Sequence, residues 1–223
     1  MFESFISLGS SCTVAAAMGR AGLRSFSGPF DWLVSHTFSS VLHFMETDFC
    51  DFLCPENLTR LPGNPCWFTD LSSGINFLHD RENFQTEYAA LKRKYDRRIK
   101  HFTEASRKKA CFLRAVIHAK ELDFIRSNAD CVRGIICRGH PGNELILLFP
   151  KDLPVPEDLP FLCFQMKEEY ENIPYLQMRR WFDGATDFLS FCAAHYDPQM
   201  RTRNISIDRL QLLERAESPD GFK

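Results

Sequence analysis

ACFLRAVIHAKELDFIRSNADCVRGIICRGHPGNELILLFP, residues 110–150, is the stretch on which the fold turns. Residues 110–117 (ACFLRAVI) are apolar apart from Arg114, and residues 144–149 (ELILLF) are apolar after the first. Runs this short and this uniformly apolar read as strands buried on both faces. Between them, 119–137 reads as a helix, and Gly139, Pro141 and Gly142 turn the chain. A Pro-rich loop leads to another short run at 161–165 (FLCFQ), and 181–195 reads as a last helix. Strand and helix alternating in this way predict a mainly parallel central sheet flanked by helices.

Working back from that stretch, 87–107 is the clearest helix, with Tyr88, Leu91, Tyr95, Ile99 and Phe102 forming one apolar stripe. Residues 74–78 (GINFL) read as a brief strand that delivers His79 and Asp80 at its end. Residues 54–73, rich in Pro, Gly, Asn and Asp, read as loop. Residues 38–52 read as a helix with Val41, Leu42, Met45 and Phe49 on one side. A turn falls at Gly28 and Pro29. At the start, 4–8 (SFISL) is a buried strand stopping at Gly9, and an alanine-rich helix follows over 12–21, capped by Ser10 or Ser11 and ended by Gly22. The whole is an α/β protein, expected as a single domain over 1–198 with a polar tail over 199–223.

The bulk numbers narrow the class. In 223 residues, 44% are hydrophobic and 21 are phenylalanine, which excludes global disorder. A formal charge of −2 points away from nucleic acid or an anionic membrane as partner. Nine cysteines, an odd number spread through strands and helices, fit reduced thiols better than a disulfide framework. The first residues hold Glu3 and only a short apolar run, unlike a signal peptide, and no run reaches the ~18–20 residues that span a bilayer. A cytoplasmic protein is expected, with the sequons at Asn57 and Asn204 read as chance matches. Nine positive charges against two negative over 92–109 read as the solvated side of one helix. Cys50, Cys54 and Cys66 lack the paired spacing of a zinc site, and no glycine pattern cradles a phosphate, so neither metal nor cofactor is expected.

One group stands out chemically. Gly9, Ser10, Ser11 and Cys12 lie where a strand of a parallel sheet ends and a helix begins, the place where ligands collect in such sheets. The unpaired amides of a helix start favour a thiolate there. The same amides, around Ser11 and Cys12, can hold the oxyanion formed when a thiolate attacks a carbonyl, and Gly9 lets backbone and substrate approach closely. A buried cysteine is also ordinary packing. As base, His79 sits beside Asp80 with Asp31 upstream, and His118 is its rival at the end of 110–117. Either carboxylate can orient the ring.

The block FISLGSSCTVAAAMGRAGLRSFSGPFDWLVS, residues 5–35, resembles a family of putative papain-like cysteine peptidases, largely a domain of unknown function. The resemblance rests on Gly9-Ser10-Ser11-Cys12, Gly22-Leu23-Arg24 and Pro29-Phe30-Asp31-Trp32. It continues through Phe77-Leu78-His79-Asp80, Tyr95-Asp96-Arg97-Arg98-Ile99 and Phe112-Leu113-Arg114. It implies Cys12 as nucleophile, His79 as base and Asp31 or Asp80 as the orienting carboxylate. Arg97, Arg98 and Arg114 would contact substrate or an anion, and a papain-like histidine would lie on a more antiparallel sheet. The G-S-x-C turn before P-F also looks like the GSCFA proteins among the SGNH-type hydrolases, which implies an esterase or acyltransferase of glycan modification. Two readings follow. In one, the chain is a thiol-dependent hydrolase or acyl-transfer enzyme acting on a peptide, an ester or a small glycan-linked substrate. In the other, it is a non-catalytic binding module in which Cys12 packs and Asp31, Trp32, Arg97 and Arg114 line a polar pocket.

Overall fold

A computed structural model describes residues 1–167, 182 and 185–196. The expected parallel sheet is present. Strands β1 (Ser4–Ser7), β6 (Ala110–Ala115), β7 (Glu144–Phe149) and β8 (Leu162–Gln165) lie side by side in that order, every neighbouring pair parallel. Helices α1 (Cys12–Arg20) and α6 (Thr186–His195) cover one face. The other face packs on α2 (Phe38–Glu46), α3 (Tyr88–Ser106), α4 (Ala119–Ser127) and α5 (Ala129–Cys137).

Strand pleating explains why the runs are continuously apolar. Along β6, Ala110 and Phe112 enter one core cluster, while Cys111, Leu113 and Ala115 enter the other. On β7, Leu145, Leu147 and Phe149 alternate with Ile146 and Leu148 in the same way. Successive side chains point to opposite faces, and both faces are covered.

A second sheet was not foreseen. Strands β2 (Leu33–Ser35), β3 (Leu58–Arg60), β4 (Phe68–Asp70) and β5 (Ile75–Phe77) form an antiparallel sheet in the order β2-β5-β4-β3. Two of its strands lie within 54–73, the region read as loop. Each strand is three residues long, too short for alternation to register against turn-rich surroundings. Their cohesion comes from tertiary stacking instead, as where Phe68 and Phe77 lie parallel at 4.5 Å.

Two expected helices are shorter than their sequence pattern. Residues 38–52 stay helical only to Glu46, after which Asp48, Phe49 and Leu53 adopt left-handed backbone (φ 51°, 61° and 61°). Those turns carry Phe49 onto Phe30 and Phe102, and Phe52 onto Phe44 and Tyr95, so aromatic burial overrides helix propensity. Residues 119–137 divide at Asn128, whose side-chain amide donates to the Phe124 carbonyl and competes with the helical backbone bonds. The tail after residue 198 and residue 181, expected to begin the last helix, lie outside the described residues.

Candidate active site

The turn that carries Cys12 is built from both sheets. Past the end of β1, the Leu8 amide still donates to Leu113 (2.8 Å), and then the chain swings through Gly9 (φ 75°) and Ser10 (φ 83°). Left-handed backbone is uncommon for serine. Gly9 allows it because a Cβ there would lie 3.0 Å from the Phe30 carbonyl oxygen. The Ser10 carbonyl accepts from the Ser35 amide at 2.9 Å, which ties the turn to β2. Ser11 then caps α1, its hydroxyl accepting from the Thr13 amide (3.2 Å) and donating to Thr13 Oγ1 (2.9 Å). Cys12 is the first residue of α1. It is 7% exposed, yet among the described residues it joins neither apolar core cluster.

The segment packed against this turn, residues 30–35, carries Asp31 and Trp32. One oxygen of Asp31, Oδ2, accepts from Nε (2.9 Å) and Nη2 (2.7 Å) of Arg24 and from the Gly28 amide (2.8 Å). Asp31 thus closes the loop between α1 and β2. Arg24 also lies over the Trp32 ring, 5.0 Å from its centroid. The indole in turn meets the His79 imidazole edge-on, with centroids 6.3 Å apart.

His79 follows β5 by two residues, so it reaches the site from the antiparallel sheet while Cys12 comes from the parallel one. Burial pushes the His79 pKa below its ordinary value, with the neighbouring Asp80 carboxylate partly opposing the shift. A neutral ring near pH 7 is the form that can accept a proton. Asp80 is itself held by the Tyr95 hydroxyl (2.9 Å) and by Lys94 Nζ (2.6 Å).

The arginines divide. Arg97 is exposed on α3, whereas Arg98, one residue on, is buried. Arg114 has no exposed surface. It donates from Nε to Glu121, from Nη1 to the Leu8 carbonyl and the Ser35 hydroxyl, and from Nη2 to the Ser35 carbonyl. Arg114 thus braces the end of β1 against the end of β2. His118 is the N-cap residue of α4, without a side-chain capping bond. Among the described residues no group of three His, Cys, Asp or Glu side chains is placed to hold a metal ion, and no helix is long and apolar enough to cross a membrane.

The profile of a family described as "putative papain-like cysteine peptidase" (DUF1796) matches residues 3–139, more than half of the chain. The chain belongs to that family. The match spans Cys12, Asp31, Trp32, His79, Asp80, Arg98 and Arg114, so all the residues just placed fall within the family's own extent. The chain is also 28% identical over 176 residues to an uncharacterized protein, R408, of Acanthamoeba polyphaga mimivirus, covering 63% of this chain and 79% of the viral one. No solved structure matches it significantly. The likeness to GSCFA proteins is not shown by these comparisons.

The sequence did not point to Arg24, Ser35 or Tyr95 as parts of this neighbourhood. Arg24 had a signal, since it ends the Gly22-Leu23-Arg24 element. The roles of Ser35 and Tyr95 depend on pairings 25 and 15 residues away, to Ser10 and Asp80, which only the fold reveals.

Proposed function

We propose that this family member is a thiol-dependent hydrolase or acyl-transfer enzyme in which Cys12 is the nucleophile and His79 its base. The observation that carries the reading is the cysteine at the first position of α1, on a left-handed turn bound to the segment whose Trp32 touches His79. In this reaction His79 takes the Cys12 proton as the sulfur bonds to the substrate carbonyl carbon. The tetrahedral oxyanion is met by amides of the helix start. Collapse expels the leaving group, which receives the proton from His79, and leaves a thioester on Cys12. Water or another acceptor, deprotonated by the same ring, then releases the acyl group. The peptidase description of the family favours an amide bond as the one broken.

Asp80 is the better choice of orienting carboxylate, because it adjoins His79 and its charge acts on the ring even while Tyr95 and Lys94 hold it, whereas Asp31 is bound by Arg24 and Gly28. His79 is preferred to His118 because it touches the segment against which the cysteine turn packs.

The low exposure of Cys12 favours a second reading, a binding module in which the thiol is packing. Intact-mass labelling with chloroacetamide near neutral pH separates the two. A catalytic Cys12 is expected to label far faster than exposed Cys50 and Cys131, and Cys12→Ala is expected to abolish that fast phase without unfolding the chain. Labelling of Cys12 no faster than Cys50 would falsify the enzyme reading.

A further inference from the structure

Two buried nitrogen donors lack a partner, one on the residue that meets His79 and one on the residue that stacks on Tyr95, the partner of Asp80. Trp32 is 5% exposed and its Nε1 makes no hydrogen bond. Arg98 is 4% exposed and its Nη1 makes none either. No carboxylate lies within ion-pair distance of Arg98 among the described residues, although Lys92, Lys94 and Lys100 on the same helix are paired. The Arg98 guanidinium is bonded and stacked to Tyr95, but its Nη1 is left as a buried donor without an acceptor, which is costly unless a ligand supplies one.

The contacts of α3 locate Arg98. Tyr95, one turn before it, donates to Asp80, while Phe102, one turn after it, packs on Phe30. His101 meets Phe26. Arg98 itself stacks on the Tyr95 ring, 4.8 Å from its centroid. On α3 it thus falls between the residue that binds Asp80 and the residue that packs on Phe30, two positions before Trp32. The carboxylates at hand are already engaged, Asp31 by Arg24 and Asp80 by Lys94.

We propose that Arg98 Nη1 and Trp32 Nε1 form a carboxylate-binding subsite beside His79, so that the preferred substrate carries a carboxylate next to the reacting carbonyl. The proposal rests on the reading of Cys12 as nucleophile and adds the substrate class. A guanidinium and an indole N–H offer two donors to the two oxygens of a carboxylate, and burial strengthens both bonds.

Paired alkylating reagents test it without knowledge of the natural substrate. Iodoacetate and iodoacetamide differ in carrying a carboxylate or a neutral amide, and exposed Cys50 supplies the reference ratio within the same chain. At Cys12 the iodoacetate-to-iodoacetamide rate ratio, normalised to Cys50, is expected to exceed one by about tenfold, the worth of one hydrogen bond to a charged group. It is expected to fall to about one in Arg98→Met, and partway in Trp32→Phe, which keeps a ring and deletes the donor. Arg98→Lys, which retains the charge, serves if the methionine variant does not fold.

A fast iodoacetamide reaction with a wild-type ratio near one, or a ratio untouched in the variants, overturns the subsite and leaves the nucleophile standing. If Cys12 reacts with neither reagent, the nucleophile reading fails and the subsite is decided by melting temperature in acetate against acetamide at fixed ionic strength. A saturable rise with acetate that Arg98→Met removes supports the subsite. An equal response of wild type and variant rejects the subsite.

Discussion

Replacing Arg114 with methionine keeps most of the stem and removes every polar contact of the guanidinium. In the folded protein that group is fully buried and donates to Glu121 Oε1 at 2.7 Å, the Leu8 carbonyl at 3.0 Å, the Ser35 hydroxyl at 2.6 Å and the Ser35 carbonyl at 2.9 Å. Breaking one side of a buried ion pair costs about 3–5 kcal/mol, because the other charge is left uncompensated. Glu121 has one escape. Burial already raises its carboxyl pKa despite Arg114, so without the arginine it can fold protonated. The folded state then binds more protons than the unfolded state, and the stability deficit of the variant is expected to widen as pH rises from the ordinary carboxylate range. Urea denaturation at about pH 7 is the measurement, with a loss of ~3–5 kcal/mol expected. Arg114→Met combined with Glu121→Leu is expected to recover at least ~1 kcal/mol of that loss, a coupling that a double-mutant cycle isolates. A single variant within ~0.5 kcal/mol of wild type, the range of ordinary surface substitutions, refutes the brace. So would a variant of unchanged stability that loses only affinity for a substrate, which is how a ligand-contacting arginine behaves.

Gly9→Ala combines left-handed backbone with a Cβ 3.0 Å from the Phe30 carbonyl oxygen, so a loss of at least ~1–2 kcal/mol is expected from denaturation, together with slower labelling of Cys12. An alanine variant as stable as wild type, with unchanged labelling, means the turn does not need its strained form. The His79 pKa is depressed on folding, so near and below the ordinary imidazole value of about 6.5 the unfolded chain binds more protons than the folded one. Stability is accordingly expected to be complete above that value and to decline as pH drops through it, with His79→Gln flattening the decline. An identical pH slope in wild type and variant rules out burial of the neutral ring as its cause.

The parts that sequence disclosed are those held by local pattern. The strands β1, β6 and β7 are apolar on both faces and announce a covered parallel sheet, and Gly9-Ser10-Ser11-Cys12 announces a strand-to-helix turn. The antiparallel sheet stayed hidden because three-residue strands such as Leu58–Arg60 carry no measurable period, and their pairing depends on phenylalanines far apart in the chain. Arg114 shows a different limit. An arginine within an apolar run must be satisfied by something, and pattern alone does not tell a ligand from the Leu8 and Ser35 carbonyls. Asp31 and Asp80 were equivalent in sequence. The fold gives Asp31 to Arg24 and Asp80 to Tyr95 and Lys94, and the charge that acts on the His79 ring is that of Asp80.

Arg114 and Ser35 together explain why a second sheet belongs to this site. Ser35 donates its amide to the Ser10 carbonyl, and its hydroxyl and carbonyl accept from Arg114, which also holds the Leu8 carbonyl beside Gly9. The left-handed turn is thus clamped from β2 on one side and from β6 on the other, immediately before the thiol. A two-residue excursion into an uncommon backbone region persists only when its surroundings over-determine it. The same β2 continues back into Trp32, which meets His79, and β2 pairs directly with β5, which carries His79 at its end. Any shift of β2 against the parallel sheet would therefore move the cysteine turn and the histidine together. The antiparallel sheet links the two segments, and mutations along β2 should alter Cys12 reactivity more than equally destabilising ones along β8.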